Sequence, residues 1–186
     1  LTDKSDLDEV SSFVRVGGAA GIICSGSYEL DLNMKTTTGA VLVRNTPFEE
    51  DEGLSFVEPD LRAAYELIFG CADENFRPPA FEDFYVDVNH KLRHNAARIC
   101  GIEHDGKLAA LAMTVAESDD GAVLGAVACA QEFRRSGFAS AVVKHITNSL
   151  ISAGKNVFLH RAKNANVSFY SGLGFSECGT WREYLL

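Results

Sequence analysis

Arg134-Arg135-Ser136-Gly137-Phe138-Ala139 puts two guanidinium groups, a glycine and a small residue at one junction of the chain. The small apolar run Ala122 to Ala130 precedes it. The clearest helical pattern, Gly137 to Ala153, follows, with Val142, Val143, Ile146, Leu150 and Ile151 on one side. The first N–H groups of a helix have no partner inside it and can hold phosphate oxygens. Gly137 permits close backbone approach, and Ala139 keeps the first turn uncrowded. Either arginine adds a charge-assisted contact. This is chemistry for cradling a diphosphate. The alternative is an ordinary strand-to-helix connection with two solvated arginines. The segment is neither a P-loop nor a dinucleotide-binding fingerprint.

Other constellations carry less. His90 and His94 share a helix face by i,i+4 spacing but lack the Glu of a zinc protease motif, and His145 reads as a surface residue. Cys24, Cys71, Cys100, Cys129 and Cys178 are scattered and odd in number, with no C-x-x-C pair. Three lie in or beside apolar stretches, which fits buried thiols and a reducing, cytoplasmic compartment. No G-x-S-x-G elbow is present. Glu49-Glu50-Asp51-Glu52 reads as a solvated linker. The net charge of −9 over 186 residues weighs against a nucleic-acid binder with a broad basic surface. No apolar stretch is long enough to span a bilayer, and no secretory signal is visible. The chain begins at Leu1 rather than Met, leaving room for residues upstream.

These residues need elements to hold them. Residues 3–15 read as a helix, with Leu7, Val10, Phe13 and Val14 at helical spacing, stopped by Gly17-Gly18. Ala19 to Cys24 reads as a strand. The alternating Tyr28, Leu30 and Leu32 and the run Val41 to Val43 suggest more. Leu54 to Val57 is another candidate. Asp60 leads a helix carrying Leu61, Ala64, Tyr65, Leu67 and Ile68. A second helix, Phe81 to Asn95, buries Phe84, Tyr85, Val88 and Leu92. Ala97 to Ile102 and Leu108 to Ala116 pair through the Asp105-Gly106 turn. Val157 to His160 is a strand, Asn166 to Ser171 a short helix, and a hairpin closes the chain. The order implies an α+β protein with a mixed sheet and helices on both faces.

A second signal lies downstream, in Phe169-Tyr170-Ser171-Gly172-Leu173-Gly174-Phe175. The ordered pair of motifs resembles the GCN5-related N-acetyltransferase (GNAT) superfamily, particularly its FR47-like branch. The hallmark [Q/R]-x-x-G-x-[G/A] is met by Arg134 to Ala139, and the aromatic-Tyr-x-x-x-Gly-Phe motif by Phe169 to Phe175. The resemblance covers residues 54–186, leaving 1–53 as an appendage or partial domain with room for a homodimer contact. It implies a largely antiparallel sheet, flanked by helices, in which two central parallel strands splay apart around acetyl-CoA. Val127, Ala128 and Cys129 would then face the pantetheine arm. Arg134, Arg135, Ser136, Gly137, Phe138 and Ala139 would hold the pyrophosphate. Phe169 would pack in the core or against pantetheine, and Tyr170 would sit near the thioester sulfur as general acid. The chain departs from the pattern in two places. Gln131 stands where many relatives have Pro, and Lys163 holds the position of the usual motif Asn. Asn164 and Asn166 lie nearby, six and four residues before Tyr170, as alternative candidates for the place of that Asn. The central strand contains no acid, so Glu117, at the end of the preceding strand, is the candidate base.

The reading is an acetyl-CoA-dependent N-acetyltransferase acting on a small-molecule or peptide amine by direct attack. The other readings are a non-catalytic acyl-CoA sensor or protein-interaction module, and O-acylation or a different acyl donor.

Overall fold

The computed structural model describes residues 4–49, 53–73 and 76–185, so Glu50, Asp51 and Glu52 of the acidic run lie outside the described residues. In chain order the elements are α1 (Leu7–Gly17), β1 (Gly21–Ser25), β2 (Lys35–Arg44), α2 (Leu61–Gly70), α3 (Phe81–Arg93), β3 (Ile99–His104), β4 (Lys107–Glu117), β5 (Gly121–Cys129), α4 (Phe138–Ser152), β6 (Asn156–Ala162), α5 (Val167–Gly172) and β7 (Ser176–Leu185). They fall into two compact units, Arg44–Leu159 and Leu1–Val43 with His160–Leu186. The last 27 residues therefore group with the N-terminal block, a division unlike a single break near residue 53. Pairing explains it: β7 forms antiparallel ladders with both β1 and β2.

In the larger unit, β3, β4 and β5 are antiparallel neighbours, and β6 begins in parallel beside β5. Sheet pairing is therefore mixed and largely antiparallel. The parallel register covers only Gly121↔Asn156 to Leu124↔Leu159, although β5 continues to Cys129. One face carries Leu111, Met113, Ala126 and Ala128 under α2 and α3, which contribute Ala64, Ile68, Phe84 and Val88. Helix α4 packs on β3, β4 and β5, burying Val142, Val143, Ile146 and Leu150. Residues 109–114 of β4 are buried without a break, as expected of a strand covered on both faces.

Local chemistry sets the boundaries. The Asp60 carboxylate accepts hydrogen bonds from the Arg62 and Ala63 amides and caps α2. Glu82 and Asp83 lie in the first turn of α3, and Lys91 and Arg93 in its last, complementing the helix dipole. Asp105 (φ 51°) and Gly106 (φ 73°) make the left-handed pair that a tight hairpin requires. Tyr85 departs from its expected buried position. It is 44% exposed, because a residue next to the buried Phe84 points about 100° around the helix. The segment Leu54 to Val57 forms only one bridge, between Val57 and Gly101.

In the smaller unit α1 begins at Leu7, capped by Asp6, and ends at Gly18 (φ 63°). Val14 packs with Leu30, Leu32 and Tyr184. Tyr28 to Leu32 is not a strand, because side chains take the place of a ladder. The Leu30 amide donates to the Tyr184 hydroxyl (2.8 Å) and the Asp31 amide to the Ser11 hydroxyl (3.1 Å). The expected terminal hairpin is one continuous strand, β7. Gly179 does not turn the chain: it pairs with Val41 beside a register shift that puts Glu177 opposite Leu42.

Candidate active site

Strand β5 leaves the sheet at Cys129 and passes through a 3-10 turn, Gln131–Phe133. Arg135 (φ 68°) and Gly137 (φ 87°) then take left-handed conformations that redirect the chain into α4. The first intrahelical bond runs from the Ala141 amide to the Gly137 carbonyl (3.0 Å). Helical geometry therefore leaves the Phe138, Ala139 and Ser140 amides without intrahelical acceptors, and Gly137 has no side chain to cap them. These donors, the positive end of a helix dipole and the exposed Arg134 and Arg135 suit a pyrophosphate. The junction is braced by rings: His104 lies 5.4 Å from Phe133 and 5.1 Å from Phe138. That role of His104 depends on the β3–β4 pairing that brings the hairpin there, and no local pattern around His104 signals it.

Ser136 closes the turn with its amide directed to the Phe133 carbonyl (3.4 Å). The Arg134 Nε donates to the Cys129 carbonyl at 3.4 Å. The Cys71 thiol approaches the same carbonyl, also at 3.4 Å. Val127 and Cys129 are half-buried and Ala128 is buried. Burial, followed by the nearby Cys71, raises the Cys129 thiol above its ordinary range. It remains a thiol at neutral pH and is poorly suited to act as a nucleophile.

The other expected residues belong to the smaller unit. Asn164 lies in the exposed turn after β6, and Asn166 (φ 52°) precedes α5 without capping it through its side chain. Tyr170 sits on α5 with Phe169 5.0 Å and Phe175 6.0 Å away, ring to ring and edge-on. Burial pushes the Tyr170 hydroxyl up to about 12, so it carries its proton at neutral pH.

Glu117, the candidate base, is already engaged. Its side chain is only 2% exposed, and both oxygens are engaged. Oε1 accepts from the Thr114 hydroxyl (3.0 Å); Oε2 meets Lys155 Nζ (3.0 Å) and Arg98 Nε (3.3 Å). A carboxylate whose two oxygens are taken by two cations and a hydroxyl has no free face toward a substrate amine. Glu117 ties the end of β4 to Arg98 and Lys155. His90 and His94 also keep to themselves: the rings are 4.2 Å apart and His94 Nδ1 meets the His90 carbonyl at 2.8 Å. Among the described residues no cluster of His, Cys, Asp and Glu could hold a metal ion, and no helix is long and apolar enough to cross a membrane.

Strand pairing creates a further feature at the middle of β5. Register shifts in β4 on either side of Thr114 bulge the strand, bringing Val115 over Gly125. A Cβ at Gly125 would fall 1.9 Å from Val115 Cγ1, so only glycine fits. Both residues line a cavity of about 390 Å³ between the sheet and α3.

Comparison with known proteins adds lineage to this geometry. A family model described as FR47-like protein matches residues 99–185. A GNAT-family protein from Novosphingobium aromaticivorans shares the fold with a TM-score of 0.67 at 17% identity, over 89% of this chain and 72% of that one. A GCN5-related N-acetyltransferase from Kribbella flavida gives 0.55 at 18% identity, over 92% of this chain and 62% of its own. Glucosamine-6-phosphate N-acetyltransferase from Arabidopsis thaliana gives 0.53 at 20% identity, over 69% and 95%. The chain thus spans less than two thirds of the Kribbella protein. No match is found among the curated proteins. The chain therefore has the fold of these GCN5-related N-acetyltransferases, and its C-terminal segment is similar to FR47-like proteins.

Proposed function

We propose that the protein is an acetyl-CoA-dependent N-acetyltransferase that acylates a primary amine of a small molecule or peptide. The observation that carries this reading is the uncapped start of α4, shaped by Arg135 and Gly137 in left-handed conformations. There the Phe138 and Ala139 amides, assisted by Arg134 and Arg135, would hold the pyrophosphate. The backbone of Val127 to Cys129 would run beside the pantetheine arm. Asn164, Asn166 and Phe169 are assigned to cofactor binding on their motif positions. When bound, acetyl-CoA supplies a thioester activated for acyl transfer.

The protein's own part in the chemistry is modest. Placing an amine against an activated carbonyl removes most of the entropic barrier. Tyr170, kept protonated by burial, is assigned on its motif position as the group that would supply a proton to the leaving thiolate. With Glu117 committed to Arg98 and Lys155, water would take the proton that the acceptor ammonium must lose before its free amine attacks. The raised Cys129 thiol supports direct attack over an acyl-enzyme on that residue.

A second reading, an acyl-CoA sensor without turnover, is favoured by that same engagement of Glu117. Two measurements separate them. Coenzyme A raises the melting temperature under either reading. Release of free thiol from acetyl-CoA, dependent on an added amine, belongs to the enzyme alone. Thermal stabilisation with no amine-dependent release establishes the sensor, and absence of both removes the cofactor site.

A further inference from the structure

We propose that the acceptor is an α,ω-diamino acid, acetylated on its terminal amine, and that Arg77 and Asp83 select it by gripping its other end. This rests on the acyltransferase reading above. The cavity beside Val115 and Gly125 has a graded interior. Its depth is apolar and buried: Ile68 (2% exposed), Phe84 (7%), Val88 (4%), Met113 (3%) and Ala126 (9%). Its exposed side carries the charges, on α3 and on the segment before it: Arg77, Asp83, Asp87 and Lys91. Lys91 and Asp87 satisfy each other at 2.8 Å, one helical turn apart. Among the described residues no ion-pair partner is found for Arg77 or Asp83, which leaves one positive and one negative group open at the rim.

The buried floor of the cavity includes Ala126 of β5, immediately before Val127 to Cys129, where the pantetheine arm is assigned. An acceptor must therefore deliver its amine past apolar walls while its remaining polar groups stay at the rim. An unbranched aliphatic stem meets the first demand at little desolvation cost. A head bearing both an ammonium and a carboxylate meets the second, the ammonium on Asp83 and the carboxylate on Arg77. A polyamine leaves Arg77 unmatched. An α-amine beside its own carboxylate cannot place one group deep and the other at the rim.

Four acceptors isolate the two contacts: lysine, cadaverine without the carboxylate, 6-aminohexanoate without the α-ammonium, and pentylamine without either. With saturating acetyl-CoA, kcat/KM is expected to be highest for lysine and lowest for pentylamine, and mass spectrometry places the acetyl group on the ε-nitrogen. Arg77→Gln should raise KM for lysine and 6-aminohexanoate about three- to tenfold more than for the two amines lacking a carboxylate. Asp83→Asn should do the same for lysine and cadaverine, relative to 6-aminohexanoate and pentylamine. Arg77→Lys should restore part of the first effect. Equal KM values across the four, equal rises in each variant, or acetylation of the α-nitrogen overturn the assignment. Coenzyme A stabilisation without turnover of any of the four overturns the acceptor while leaving the cofactor site standing. Absence of both stabilisation and turnover overturns the two together.

Discussion

Tyr170 must hold a proton before it can give one away. Its burial against Phe169 and Phe175 ensures this, since the hydroxyl moves from 10.0 up to about 12. Tyr170→Phe keeps the ring and its packing but removes the acid. We expect kcat to fall about 100-fold or more, with coenzyme A affinity changed by less than about twofold. Turnover close to wild type in steady-state kinetics would remove the acid role. The contrast with Glu117 shows what single residues disclose in sequence. Both stand at legible places, one in a motif and the other at a strand end. Glu117 is defined by Arg98, Lys155 and Thr114, and only the folded register brings Lys155 and Arg98 to it. Composition around residue 117 suggests a solvated acid beside Ser118-Asp119-Asp120, and the buried ion pairs are invisible there.

Elements whose cause is local were legible. The Asp60 cap, the Asp105-Gly106 turn and the apolar stripe of α4 each arise within a few residues, and each lies where periodicity puts it. Features caused by distant pairing were not. Leu30 and Asp31 look like strand residues, yet their amides go to the Tyr184 and Ser11 side chains. The bulge placing Val115 over Gly125 belongs to the β4–β5 ladder rather than to either strand. The loop before α4 falls between these cases, because its glycine is readable while its exact path is not. At Gly137, φ is 87° and a Cβ would meet nothing within 4 Å. The cost of Gly137→Ala is therefore conformational, about 1–2 kcal/mol, and not steric. Urea denaturation should show that loss. If the left-handed turn is what aims the α4 amides, coenzyme A titration should show affinity weakened several-fold. A destabilised variant with unchanged affinity would uncouple the turn from anion binding.

The whole molecule is acidic, at −9, and two of its neutral acids are held un-ionised by burial. Cys100 lies in the larger unit, its thiol 3.7 Å from the Val142 carbonyl, and Tyr170 lies in the smaller one. Burial moves Cys100 from 9.0 to about 12 and Tyr170 from 10.0 to about 12. A raised pKa in the folded state means that the folded protein binds the proton more tightly than the unfolded chain. The associated stability is complete below pH 9. It erodes as Cys100 and then Tyr170 ionise in the unfolded chain, and is gone once the pH passes their folded values near 12. At about 1.4 kcal/mol per pKa unit, the Cys100 share reaches a few kcal/mol by pH 11, a large fraction of the 5–15 kcal/mol typical of a folded domain. Melting temperature should therefore be nearly flat from pH 7 to 9 and fall steeply from 9 to 11. Cys100→Ala is expected to start lower at pH 7, because it opens a small cavity beneath α4, and to decline less steeply above pH 9. Parallel declines in variant and wild type would show that alkaline sensitivity originates elsewhere. A shallower decline would identify a single buried thiol as the main source of the larger unit's alkaline limit.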